Sequence, residues 1–166
     1  MNIFVLSLIP RIAAEFHCDK HVVKMIIETA QLLYSAHHVA GSPLPDGAYR
    51  KTHANHPCAI WVRESAENYR WLCALGFWLC REYQYRYGVG KTHKTEKHIL
   101  WLRNNLPIDI PQVPMTPFPQ AMPVEYKRDD SVEAYRTFYI ENKMKTRNIV
   151  KYTRRPIPEF LIKTDL

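Results

Sequence analysis

The chain has 166 residues, 46% hydrophobic and 23% charged, with a formal net charge of +7 and a sequence pI of about 9.3. That length fits one globular domain with a proper core, and the composition excludes an extended disordered chain. A basic excess of this size either suits a polyanionic partner, nucleic acid first, or is plain surface charge.

The start, "MNIFVLSLIPR", has no basic residue ahead of its apolar run, and Pro10 stops that run. It does not read as a signal peptide and is too short to span a membrane. It reads as a buried extended lead-in. A helix is expected over about 11–38. In "EFHCDKHVVKMIIETAQ", residues 15–31, His17, His21, Lys24 and Glu28 fall in a band ~60° wide on the helical wheel, and Lys20, Gln31 and Ser35 widen it to ~100°. Most of the remaining circumference is aliphatic, the reverse of a surface helix. The helix is therefore expected to be central, with its polar file facing a strip of solvent or a pocket.

"GSPLPDGAYRKTHANHP" reads as a loop. A second helix is expected from Pro57, which costs nothing at a first helical position, to about 87, where Gly88 and Gly90 stop it. Arg63 and Glu67 are spaced to pair on its outer face. Thr92 is placed to cap a third helix, "HKTEKHILWLRNN", ended by Pro107. The next stretch, "PIDIPQVPMTPFPQAMPVEYKRDD", has six prolines but is too rich in Phe, Met, Val and Ile for a simple linker. It is expected to wrap over the helices as an ordered irregular segment. Asp130 and Glu133 fit a D-x-x-E cap before a fourth helix over 131–145. The tail, "YTRRPIPEFLIKTDL", is basic and then broken by prolines. The four cysteines, Cys18, Cys58, Cys73 and Cys80, form no C-x-x-C and sit in apolar helical contexts. Reduced, buried thiols in a reducing compartment are expected. The fold class is all-α: a single domain over 1–166 with about four main helices. The expected location is cytoplasmic, with no membrane association and no obligate protein partner.

His17 and His21 have the spacing to reach one metal ion. No H-E-x-x-H arrangement is present, however, and Lys24 in the same file repels a cation. No metal and no cofactor are expected. Glu28 lies among aliphatics, where a carboxylate needs a cation to hold it, and Lys24 is one turn away. A Glu–Lys–His file can hold a substrate oxygen, move a proton or stabilise a developing cation; it can also be a solvated stripe with i, i+4 pairing. In "THANHPCAIWVRES", Asn55 and His56 precede a helix start, a seat for an anion or an ordinary cap. Trp61 and Asn68 share a face further on, to stack and hold a base or to pack the core. Arg86, Lys91, His93, Lys127 and Arg154 lie in clusters of basic and aromatic residues, and Arg63, on the outer face of the second helix, is expected to contact nucleic acid with them. Such clusters suit phosphates and unstacked bases, or a solvated face.

The order of lead-in, glutamate-bearing helix, "NHP" helix start and "REYQYRYG" helix end resembles the pyrimidine-dimer DNA glycosylase family, the phage endonuclease V-like enzymes. The likeness covers about residues 1–93. It implies an all-α fold, a base flipped out of DNA, and an N-terminal amine that attacks the sugar C1′. The resulting Schiff base permits strand cleavage by β-elimination. On this chain Glu28 matches the family glutamate, His17 a histidine ahead of it, and Arg86 the arginine of the helix end. The family amine belongs to a small residue exposed after the initiator Met is removed, whereas Asn2 follows Met1 here. The amine is then that of Met1, or of Lys20 or Lys24 lowered by burial, or Glu28 activates a water instead. The segments "HCDKHVVKM", "NHPCAIW" and "TPFPQAMP" are also similar to uncharacterised phage proteins. Two other readings stand beside a DNA glycosylase. One is an enzyme of nucleotides or other small phosphorylated substrates, with a closed pocket. The other is a non-catalytic DNA-binding module.

Overall fold

Pro10 sits at the first position of a short helix, α1 (Pro10–Phe16), where its missing N–H leaves nothing unpaired. In the computed structural model residues 1–144 and 151–162 are described. After α1 come α2 (Asp19–Ala40), α3 (Pro57–Glu64), α4 (Ala66–Tyr87), α5 (Glu96–Asn104), a 3₁₀ turn (Val124–Tyr126), α6 (Ser131–Phe138), a π turn (Tyr139–Met144) and α7 (Glu159–Ile162). The described residues are all-helical, with no strand, and form a single domain. No helix among them is long and apolar enough to cross a membrane.

The helix expected over 11–38 is two helices. His17 and Cys18 take extended backbone angles and separate α1 from α2. Sequence periodicity does not show this break because its partners are remote. The Cys18 N–H donates to the Tyr139 hydroxyl at 2.9 Å, and the Asp19 N–H to the Lys151 carbonyl at 2.9 Å. On the other side of the break, Arg86 donates to the carbonyls of Glu15 and His17, and Tyr152 to that of Phe16. Backbone groups freed from a helix need such partners when buried. The second expected helix is divided in the same way at Ser65. Its hydroxyl donates to the Val113 carbonyl at 2.7 Å and accepts from the N–H of Glu67, capping α4. This break separates Arg63 from Glu67. Glu67 pairs instead with Arg70, and Arg63 donates to the carbonyls of Ala54 and Ala59.

Gly41, at φ 71°, and Gly88, at φ 126°, end α2 and α4 in backbone conformations that side chains disfavour. Thr92 caps nothing: α5 starts at Glu96, and the ring of His93 accepts the Thr95 N–H. Asp130 does cap α6, accepting the Glu133 N–H at 2.8 Å. The α-helix expected over 131–145 ends at Phe138 and widens into the π turn; residue 145 lies outside the described residues, as do 163–166 of the tail.

Helix α2 packs along α4 and α3, and α1 and α5 lie against α4. At Gly76 the approach is so close that a Cβ would stand 2.9 Å from Thr29 Cγ2. The proline-rich segment is irregular and ordered. Phe118 packs on both Trp61 and Trp71, and Ile110 is buried. The lead-in is buried from Ile3 to Leu6 but is not fully extended. Phe4 has φ 33° and its carbonyl accepts the Leu6 N–H at 2.7 Å, a tight turn with local strain. All four cysteines are free and buried. Burial pushes the thiols of Cys58, Cys73 and Cys80 up to about 12, so they are inert packing groups at neutral pH.

His17 is fully buried and its Nδ1 lies 2.6 Å from the Ala13 carbonyl. Burial lowers its pKa from 6.5 to about 4. The unfolded chain therefore binds a proton between those values that the folded chain refuses, and stability falls as pH drops from 6.5 towards 4. The shift corresponds to about 3 kcal/mol at most. Urea denaturation of His17→Gln, which keeps a donor for the Ala13 carbonyl, should show a pH slope smaller by close to one proton in this window. An unchanged slope would contradict the buried neutral ring.

Candidate active site

The polar file on α2 divides when the helix breaks. His17 turns into the core, stacked edge-on against Phe4. It does not line a site, contrary to the expectation for a substrate-binding histidine. His21, Lys24 and Glu28 stay on one face and border a recess of about 90 Å³ with Met1, Asn2, Phe4 and Met25. Glu28 is its centre. Oε2 lies 3.8 Å from the Met1 nitrogen and accepts the Asn2 backbone N–H at 3.1 Å. Oε1 lies 3.5 Å from Lys24 Nζ. The Glu28 side chain is 13% exposed and that of Met1 4%, whereas that of Lys24 is 58% exposed. Lys24 thus caps the carboxylate from the solvent side. Its exposure, shared by Lys20, removes the burial on which a lysine nucleophile was to depend.

Asn2 holds the chain start in place. Its Oδ1 accepts the N–H groups of Ile3 and Phe4, at 2.7 and 3.1 Å. Its Nδ2 donates to the Ala121 carbonyl of the proline-rich segment at 3.0 Å. This is the local turn chemistry of an Asx side chain, a signal present in the sequence and easily passed over beside the apolar run. Behind the recess the Phe4 ring stacks on His21 at 4.9 Å between centroids. His21 Nδ1 is 2.8 Å from the Tyr139 hydroxyl. Tyr139 lies 118 residues away in sequence, and no spacing rule points to it.

His56 caps α3: its Nδ1 accepts the Cys58 N–H at 3.1 Å. Burial lowers its pKa, helped by the positive charge of the chain start and opposed by Glu28. Its ring therefore lies within electrostatic range of the recess. Asn55, beside it, is exposed.

Other expected site residues have structural occupations. Trp61 is buried, packs edge-on against Trp71 and donates to the Thr116 carbonyl, so its ring is not open to a base. Asn68 is also buried. It donates to the Trp61 carbonyl and Thr116 Oγ1 and accepts the Thr116 N–H, pinning the proline-rich segment. Arg86 does not reach outward to a phosphate. Its buried guanidinium binds Glu82 and Asp19 besides the two carbonyls at the helix break. Burial pushes the Asp19 carboxyl up, but hydrogen bonds from Thr153 and Arg86 outweigh it and leave its pKa lowered. His93 is buried against Tyr83. Arg63 is half-buried on backbone carbonyls. Lys91, Lys127 and Arg154 are exposed. Arg154 lies over the Tyr85 ring and donates to the Tyr85 carbonyl.

Two larger clefts, of about 670 and 700 Å³, share Arg136 and Phe160; neither is lined by a recess residue. Among the described residues no group of His, Cys, Asp or Glu is arranged to hold a metal ion. Comparison with protein-family models, curated proteins and solved structures found no match to this chain.

Arg86→Leu should lower stability by about 3–5 kcal/mol, because it strands buried carboxylates. Urea unfolding measures this. Unchanged stability would contradict the placing of Arg86 as the buried partner of Asp19 and Glu82.

Proposed function

We propose that this chain is a DNA glycosylase with abasic-site lyase activity, in which the amine of residue 1 is the nucleophile and Glu28 the assisting carboxylate. The observation that carries the reading is the Met1 nitrogen at 3.8 Å from Glu28 Oε2, in a recess that opens beside exposed Lys24. The resemblance of residues 1–93 to the pyrimidine-dimer glycosylases supports the same pairing. Removal of Met1 would not undo it, since the Asn2 nitrogen is already 3.1 Å from the same oxygen.

The chemistry follows from these groups. The deprotonated amine gives its lone pair to C1′ of the sugar while the glycosidic bond breaks. The base leaves with that bonding pair and takes a proton. The nitrogen then loses a proton to a neighbouring base, and the C1′–O4′ bond breaks as O4′ gains a proton. An iminium joins protein and sugar. Loss of a C2′ proton pushes electrons towards the C3′–O3′ bond, which breaks and releases the 3′ phosphate. Water then hydrolyses the imine and frees the amine. Glu28 is placed to accept the amine proton and to stabilise the cationic intermediate. Exposed Lys20 and Lys24 supply positive charge at the mouth for a phosphate backbone.

The size of the recess weighs between the enzymatic readings. About 90 Å³ is well below the ~300 Å³ at which small-molecule pockets begin. A whole nucleotide does not fit inside, whereas a sugar carbon presented by an extruded residue of a duplex needs only access to its rim. A DNA-binding module without chemistry would use the ion pair for structure alone.

Borohydride trapping on duplex DNA with one abasic site tests the proposal. The wild type should form a covalent adduct. Glu28→Gln should slow its formation by about a hundredfold or more, with its thermal melt reported alongside. Acetylation of the terminal amine should abolish it. A wild type that neither forms an adduct nor cleaves the strand would overturn the reading.

A further inference from the structure

Arg136, on α6, lines both of the large clefts. Its guanidinium carbon lies 5.5 Å from the centre of the Phe16 ring and 4.9 Å from that of Phe160, and the two rings meet edge to face at 5.4 Å. Nε–H donates to the Leu6 carbonyl at 2.9 Å. The planar group is thus anchored by one edge and by two aromatic neighbours. Among the described residues neither of its terminal nitrogens has a hydrogen-bond partner, and no carboxylate is paired with it. Burial lowers its pKa, opposed by the charge of Asp130. A guanidinium half-buried among apolar side chains, with its terminal fork uncommitted within the protein, is suited to receive a planar anion in two parallel hydrogen bonds.

The surroundings narrow the class of anion. At about 670 and 700 Å³ each cleft has the size of a small-molecule pocket. Phe16, Ile157, Pro158 and Phe160 give the first an apolar wall, and Leu8, Ile9 and Ile140 do the same in the second. Arg155, the other cation of the clefts, is already taken up by Glu82 and Glu15. Exposed Glu159, Asp130 and Glu133 add negative charge to the lining. A polyanion would press several charges against these carboxylates, whereas a single negative charge can sit on Arg136 alone. We propose that the Arg136 cleft binds a small organic monocarboxylate, its carboxylate on the terminal nitrogens of Arg136 and its apolar body against Phe16 and Phe160. No recess residue lines either cleft, so this site stands apart from the activity proposed above.

Titration of the full chain with octanoate, followed by ¹H–¹⁵N NMR, tests the site. Saturable shifts are expected at the backbone N–H groups of Phe16, Arg136 and Phe160, with those of Asn2 and Glu28 unmoved. Octanamide has the same body without the charge, and acetate has the charge without the body. Each should bind about tenfold or more weakly than octanoate. Arg136→Gln should lose about tenfold or more in octanoate affinity, its fold checked in the same spectrum. A short DNA duplex should not compete with octanoate. Absence of saturable octanoate shifts at these residues overturns the proposal. Octanamide binding the wild type as tightly as octanoate also overturns it, and that comparison decides the matter even if Arg136→Gln does not fold. A folded Arg136→Gln protein with wild-type affinity, or displacement of octanoate by the duplex, would equally overturn it. Borohydride trapping on abasic DNA reads the recess alone, so failure there leaves these outcomes intact.

Discussion

Glu28 Oε2 accepts the backbone N–H of Asn2 at 3.1 Å, and the arrangement of the recess depends on that bond. It ties the first residues of the chain to the middle of α2. A chain start is ordinarily frayed unless something holds it. Here Asn2 holds it on three sides, through the N–H groups of Ile3 and Phe4 and the carbonyl of Ala121, while Ile3 to Leu6 are sunk in the core. Burial of that lead-in fixes the Met1 nitrogen beside a carboxylate, the positional fixity that the proposed nucleophile needs. The rest of the fold serves the same end. Helix α2 carries Glu28, the proline-rich segment supplies Ala121, and the π turn supplies Tyr139 behind His21.

The charged residues divide by burial into two populations with different work. One is internal: Asp19, Glu82, Arg86 and Arg155 form an ion-pair cluster where α1, α2, α4 and the 151–158 segment meet. Thr153 adds two hydrogen bonds to Asp19. A buried cluster of this kind contributes modest net stability but strongly penalises any arrangement that leaves a charge unpaired, and it specifies where the helix breaks. The other population is external and includes Lys20, Lys24, Lys91 and Lys127. Only this second group can meet a phosphate backbone without dismantling the fold. A net charge of +7 therefore overstates the choice of arginines open to a polyanion.

What could be read from the sequence was local. The long apolar circumference of 19–40, the proline at 57 and the glycines at 41 and 88 each act within a turn of themselves, and the helices follow them. The i, i+4 relation of Lys24 and Glu28 was visible for the same reason. The breaks at His17–Cys18 and Ser65 were not, because their hydrogen bonds come from Lys151, Tyr152, Arg86 and Val113, far away in the chain. Basic residues interleave with aromatics at Arg154 and Arg155 as well. Those guanidiniums lie over the ring of Tyr85 within the protein itself. Trp61 and Asn68 looked like cavity residues because a polar side chain on an apolar face needs a partner. The partner proved to be Thr116, on a segment whose path no periodicity describes. Tyr139 was out of reach of any spacing argument.

The most direct test of this account is peptide mass mapping of the borohydride-reduced adduct between the protein and abasic DNA. With the chain start held against Glu28, the reduced sugar remnant should appear on the terminal amine of the peptide that ends at Arg11. A remnant on Lys20 or Lys24 instead, with the terminal amine unmodified, would contradict the claim that burial of the first residues delivers the nucleophile.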